Sequence, residues 1–87
     1  MPEITIYTTR FCGFCFRAKQ LLKSKQLEFK EVPVDGDRAA RQALAERSGR
    51  TTVPQIWIGE HHVGGCDELY AAERSGELDR LLSGQGA

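Results

Sequence analysis

Apolar and polar positions recur along this chain with periods that predict most of its elements. In EITIYTT, Ile4 and Ile6 alternate with Thr5 and Tyr7, the period of two expected of a strand whose faces differ. Further on, Cys15, Ala18, Leu21 and Leu22 share one stripe while Arg17, Lys19, Gln20 and Lys23 fall off it. This predicts an amphipathic helix ending near Lys25. Phe29, Val32 and Val34 surround Pro33, which has no N–H for a ladder, so this strand belongs near a sheet edge. Asp35 or Asp37 then caps a helix from Arg38 to Ser48, with Ala40, Ala43, Leu44 and Arg47 at helical spacing and Gly49 as its stop. The apolar runs of PQIWIGEHHVGG meet at Gly59-Glu60, a two-residue connection that makes the third and fourth strands an antiparallel hairpin. A third helix runs from Asp67 to Arg74, opened by Gly64-Gly65. Leu78, Leu81 and Leu82 form a last short helix with Ser75 as its cap.

The resulting order is β-α-β-α-β-β-α with a short addition. Its first strand-helix-strand unit needs a right-handed crossover and therefore a parallel pair, while the hairpin is antiparallel. The expected fold class is α/β, a four-stranded mixed sheet with helices on both faces. With 87 residues and neither repeat nor linker, the expectation is one domain over 1–87, frayed from 83 to 87.

Charge narrows the function. Twelve Lys plus Arg balance twelve Asp plus Glu, so the chain has neither the basic excess of a polyanion binder nor a basic face for an anionic membrane. No nucleic acid and no membrane are expected as partners. The start MPEITIYTT carries Glu3 and lacks the ~7–15 apolar residues of a signal peptide, which points to the cytoplasm. In that setting thiols seldom form structural disulfides, and a C-x-x-C pair is usually redox-active or metal-binding. Cys12 and Cys15 form such a pair, and Cys66 stands alone.

A thiolate, not a thiol, attacks disulfides, and an ordinary cysteine with pKa ~8.5 is only a few per cent ionised at neutral pH. The first turn of a helix offers unpaired N–H groups and the positive end of the macrodipole. A negative sulfur at Cys12 is stabilised there, with Arg10 and Arg17 available to add positive field. Cys12 is thus the exposed nucleophile, and Cys15, on the core-facing stripe, the resolving thiol; their i, i+3 spacing lets a disulfide close. The competing reading is a structural zinc site in which Cys66 and either His61 or His62 complete a Cys3His set. Such pairs usually sit on turns, whereas this one opens a core-packed helix.

With YTTRFCGFC, RTTVPQIWI and VGGCDELY in this order, the chain resembles the glutaredoxin family, in particular the short bacterial dithiol type, from Ile4 to about Leu82. C-x-x-C alone is shared with thioredoxins and zinc proteins. Thr52-Val53-Pro54 and Gly64-Gly65-Cys66-Asp67 make the resemblance specific. Thioredoxins fit less well, since they usually carry an extra N-terminal strand and helix and a Trp before the first cysteine, where this chain has Phe11.

The resemblance implies a thioredoxin-like fold and a glutathione-dependent thiol-disulfide oxidoreductase. Its substrates would be protein-glutathione mixed disulfides and protein disulfides, its co-substrate glutathione, and its state a monomer. It implies that Val53 offers its backbone to the cysteinyl unit of glutathione while Pro54 is cis. Gly65, Cys66 and Asp67 would take the γ-glutamyl end and Arg41 the glycine carboxylate, with Arg10, Phe14 and Thr52 completing the set. Each residue also has a plainer use: Asp67 as a cap, Arg41 on a solvated face, Cys66 as a small packed residue. His61 and His62 read as strand-edge polar residues, Tyr70 as a packing aromatic and Trp57 as part of a hydrophobic sheet face. The chain departs from the family pattern at Thr9, where a lysine is usual, and at Gly13-Phe14, where Pro-Tyr is common. Gly13-Phe14 is also similar to the motif of monothiol glutaredoxins, whose dimers hold a [2Fe-2S] cluster between two such cysteines and two glutathiones. That implies a second use of Cys12, in a dimer, although Cys15 stands where those proteins have serine.

Overall fold

The computed structural model describes residues 2–84. Its elements are β1 (Ile4–Thr8), α1 (Gly13–Ser24), β2 (Lys30–Pro33), α2 (Arg38–Ser48), β3 (Gln55–Ile58), β4 (His61–Gly64), α3 (Cys66–Ser75) and α4 (Glu77–Leu82). Alternation in β1 becomes alternation in burial, with Ile4, Ile6 and Thr8 inside. The one buried hydroxyl among them, on Thr8, donates to Glu31 Oε2 at 2.7 Å and so meets its hydrogen-bonding need. The sheet runs β2-β1-β3-β4. β1 pairs parallel with β2 and antiparallel with β3, and β3 pairs antiparallel with β4. Pro33 lies on edge strand β2, as its missing N–H requires. This is the expected α/β fold, a thioredoxin-like mixed sheet flanked by helices.

The apolar core lies on one face of the sheet. Ile4, Ile6, Ile56 and Ile58 meet Ala18 and Leu22 of α1 and Leu69 and Ala72 of α3, with α4 closing one side through Leu78, Leu81 and Leu82. The alternate strand positions, Tyr7 and Trp57, face α2, where Arg47 lies 4.3 Å above the Trp57 ring. Trp57 is buried as expected, but its surroundings are aromatic and polar instead of a plain hydrophobic face: Tyr7 meets it edge-on at 5.4 Å and His62 stacks on it at 4.5 Å. Of the α2 stripe only Leu44 is buried.

The caps show which local signals were followed. Asp37, not Asp35, caps α2 and accepts the Ala40 N–H at 2.9 Å. Gly49 ends α2 in the left-handed region at φ 74°. α3 starts one residue earlier than expected, at Cys66. The cap of α4 is Gly76 at φ 83°, which also terminates α3, while Ser75 accepts the Glu77 N–H at 3.3 Å from one position upstream. A single left-handed glycine therefore turns one helix into the next. Of the expected frayed tail, Ser83 and Gly84 form a turn whose N–H groups donate to Asp79 O and Leu81 O, and 85–87 lie outside the described residues. Among the described residues no helix is long and apolar enough to cross a membrane.

Candidate active site

Cys12 stands where the chain passes from extended backbone (φ −135°, ψ 106°) into α1, and its Sγ accepts the Cys15 N–H at 3.1 Å. A sulfur here does what a serine or aspartate oxygen does at other helix starts: it takes up one of the unpaired first-turn donors. The first turn holds no acidic residue to oppose a negative sulfur. Cys15, one turn in, faces the core at 1% exposure. Burial, and after it hydrogen bonding to the Cys12 sulfur, push the Cys15 thiol up to about 12. The two sulfurs are alike in chemistry and unlike in environment, one partly exposed and the other buried.

Three further segments surround Cys12. The approach from β1 is pinned by Asp35, whose carboxylate oxygens accept the Arg10 N–H at 3.1 and 2.9 Å. Opposite lies the Thr52-Val53-Pro54 turn, with a cis Val53-Pro54 peptide bond and Val53 O 3.7 Å from Cys12 Sγ. The side-chain amide of Gln55 holds this turn from beneath by donating to Thr52 O at 3.1 Å. The third segment is the start of α3. Glu68 reaches back so that its Oε1 accepts the Gly65 N–H at 2.6 Å and the Arg50 guanidinium at 2.9 Å. These donors, the backbone N–H foremost, hold the Glu68 carboxyl below the usual range despite partial burial. Gly64, at φ 120°, allows this approach, since a Cβ there would lie 2.8 Å from the same oxygen.

Between the turn and α3 runs an open groove of about 220 Å³. Phe14 closes it beside the cysteine pair, Thr52, Val53 and Pro54 form one bank, Gly65, Cys66, Asp67 and Glu68 the other, and Arg50 the far end. It presents extended backbone on one side and a helix start on the other, with carboxylates and a guanidinium between them.

The chain as a whole is similar to known proteins. The glutaredoxin family model matches residues 4–63. A glutaredoxin from Pseudomonas aeruginosa is 59% identical over 95% of this chain and 99% of its own length. Glutaredoxin 3 of Escherichia coli K12 is 54% identical over 94% and 99%. The chain belongs to the glutaredoxin family. As a dithiol glutaredoxin, with Cys12 and Cys15 in contact, it is a glutathione-dependent thiol-disulfide oxidoreductase. In shape it is similar to the crystal structure of a buckwheat glutaredoxin-glutathione complex, with a TM-score of 0.87 at 30% identity, covering 99% of this chain and 83% of that one.

Within this glutaredoxin the structure gathers Phe14, Thr52, Val53, Pro54, Gly65, Cys66 and Asp67 around one groove beside Cys12. Two residues expected there lie elsewhere. Arg41 is exposed and lines a separate hollow with Asp37 and Thr51, and the Arg10 guanidinium, also exposed, sits 3.7 Å from Asp35. The zinc reading needs its ligands to converge, and among the described residues no group of three or more His, Cys, Asp or Glu is placed to hold a metal ion. Cys66 is buried, which pushes its thiol up, and His62 is engaged with Gln55 and Trp57. Sequence reasoning missed Arg50 and Glu68. A signal for Glu68 existed, since an acid three residues past a helix cap is the far half of a capping box, but the cap here is glycine instead of serine or threonine.

Proposed function

We propose that Cys12 is the nucleophile, Cys15 the resolving thiol, and the groove the seat of glutathione. The observation that carries this reading is the Cys12 sulfur, held at the front of α1 by the Cys15 N–H and facing Val53 O across the mouth of the groove. Glutathione has two carboxylates, one ammonium and a peptide-like middle, so it needs donors at its ends and backbone along its length. Val53 supplies backbone for the cysteinyl unit. The N–H groups of Cys66 and Asp67 at the start of α3 suit the γ-glutamyl carboxylate, and the Asp67 side chain suits the adjacent ammonium. The Gly65 N–H is already taken by Glu68, so Gly65 serves by shape: its Cβ would come 3.3 Å from Pro54 O. Arg41, exposed and outside the groove, offers the glycine carboxylate only a solvent-screened attraction, and Thr52, Phe14 and Arg10 frame the approach.

In the reaction, the Cys12 thiolate attacks the glutathione sulfur of a protein-glutathione mixed disulfide. That S–S bond breaks, a Cys12-glutathione bond forms, and the target leaves as a thiolate that takes a proton from solvent. A second glutathione thiolate then attacks the glutathione sulfur, releasing glutathione disulfide and the Cys12 thiolate. With a protein disulfide, Cys12 forms a mixed disulfide with the target. Cys15 loses its proton and attacks the Cys12 sulfur, which frees the target and leaves an intramolecular disulfide for two glutathiones to reduce. The cytoplasm suits this cycle because glutathione is kept reduced there. Within one chain a [2Fe-2S] cluster would find one accessible thiol, Cys12, because Cys15 and Cys66 are buried; its other ligands must come from a second copy and from glutathione.

The test uses a Cys15→Ser protein mixed with a glutathionylated peptide and no free glutathione. Mass spectrometry should find one glutathione on Cys12 and stoichiometric peptide thiol. An adduct on Cys66, or none, refutes the assignment. Anaerobic reconstitution with iron, sulfide and glutathione decides the cluster, and a colourless monomer removes it.

A further inference from the structure

The α2-facing side of the sheet carries a line of contacts that ends beneath the groove. At its centre is Gln55, whose side chain has no solvent exposure. Its Nε2 donates to Thr52 O at 3.1 Å and reaches Thr52 Oγ1 at 3.4 Å. This orientation leaves its Oε1, an acceptor only, 2.7 Å from His62 Nε2. Two acceptors cannot share that contact, so His62 must carry its proton on Nε2.

The imidazole is held in place independently of this bond. It stacks on Trp57 with centroids 4.5 Å apart and ring planes 29° from parallel. Burial first, then the cations Arg50 and Arg47 and neighbouring His61, disfavour its charged form, with Glu68 alone acting the other way. The ring is therefore a neutral donor at neutral pH. Among the described residues no buried side-chain nitrogen or oxygen lacks a partner, so the bonds to Thr52 and His62 satisfy the Gln55 amide. Removing the His62 donor would leave Gln55 Oε1 unpaired in the interior, or make the amide turn over and release Thr52.

We infer that His62 is a positioning residue for the glutathione site: through Gln55 it fixes the Thr52 carbonyl and hydroxyl, and thereby the Val53 backbone that faces the Cys12 sulfur. This rests on Val53 being the contact for the cysteinyl unit. His62 does not line the groove, so its effect passes through Gln55. A backbone that must bond to a substrate and stay within 3.7 Å of the reacting sulfur tolerates little displacement. The residue reads from sequence as a strand-edge polar side chain, and the alternative in the structure is that it merely packs on Trp57.

Two substitutions separate these roles. His62→Phe keeps a ring for Trp57 and loses the donor, whereas His62→Gln keeps an N–H donor and loses the ring. In steady-state deglutathionylation of a peptide, His62→Phe should raise KM about five- to tenfold with kcat within about twofold, while His62→Gln stays within about twofold in both. His62→Phe behaving like the unaltered protein, or His62→Gln impaired as much as His62→Phe, would overturn the inference. A second measurement needs no variant: imidazole 15N NMR of the unaltered protein should show His62 protonated at Nε2 and bare at Nδ1, and the opposite tautomer overturns it. Lack of any glutathione turnover by the unaltered protein would sink the glutathione reading itself and this inference with it.

Discussion

Cys12 and Cys15 lie one helical turn apart, and each does what its surroundings allow. Cys12 is partly exposed with an N–H pointed at its sulfur; Cys15 is sealed in the core with its thiol pushed up to about 12. Cys12→Ser should therefore reduce both deglutathionylation and protein-disulfide reduction to background, while Cys15→Ser keeps the first and loses the second. Paired assays on the two variants check this, and equal losses in both would refute the division of labour. Placement in the groove likewise separates Asp67 from Arg41. Asp67→Ala removes a charge from the α3 bank and should raise KM for the glutathionylated peptide about fivefold, whereas Arg41→Ala, exposed and in another hollow, should change it about twofold or less. The reverse order, from the same kinetics, would move the binding mode out of this groove. The cysteines, Val53 and Asp67 were legible in the sequence because their motifs are short and contiguous. Arg50 with Glu68, and Gln55 with His62, were not, because nothing local joins residues 18 or 7 positions apart.

At the scale of elements, the start of α3 shows how backbone conformation and site chemistry depend on each other. Gly64 at φ 120° lets Glu68 fold back and satisfy the Gly65 N–H, and Glu68 in turn holds Arg50 at the end of the groove. Gly64→Ala would place a methyl 2.8 to 3.0 Å from three atoms of Glu68 in a backbone region that side chains rarely enter. It should cost about 1–3 kcal/mol of stability and also raise KM for the glutathionylated peptide. Urea denaturation and kinetics on one sample check both, and an alanine variant as stable as the parent would mean that the segment rearranges freely. Elements bounded by strong local punctuation were legible: the Gly59-Glu60 hairpin, and α2 between Asp37 and Gly49. The junction of α3 and α4 was read less well, because Ser75 has the side chain of a cap while the chain actually turns at Gly76. On α2 the spacing that groups Arg47 with Ala40, Ala43 and Leu44 matches the side that meets the sheet, where the Arg47 guanidinium covers Trp57. The depth of that contact is not legible from spacing, since only Leu44 of the set is buried.

Over the whole molecule, three charged groups tie separate elements together and should contribute to how stability varies with pH. Glu31 on β2 accepts from Thr8 of β1 and Lys19 of α1, and its carboxyl lies below the usual range, chiefly through the Thr8 hydroxyl. Glu68 is lowered as well, chiefly by the Gly65 N–H. Lys25, at the end of α1, meets Glu73 of α3 at 2.9 Å and Asp79 of α4 at 3.1 Å, and the Glu73 hydrogen bond foremost raises it. A lowered carboxyl binds its proton more weakly in the native state than in the unfolded chain. Its contribution is thus complete above the ordinary value of 4.5 and is lost as pH falls through the native value. A raised amine behaves oppositely, contributing fully below 10.5 and losing that contribution as pH climbs through its native value. These groups together give a stability plateau bounded by acid and alkali. The side chains of Glu31 and Glu68 are 37% and 41% exposed, so solvent screening holds each contribution to about 1 kcal/mol or less. Urea midpoints of the parent should therefore fall modestly between pH 5 and pH 3. Glu31→Gln should have a lower midpoint than the parent at pH 7 and a smaller further drop in acid, because the proton it would have gained is no longer there to gain. Parallel acid limbs for parent and variant would show that Glu31 titrates alike in the folded and unfolded chains, and would remove β2 from the ties that hold the sheet edge to α1.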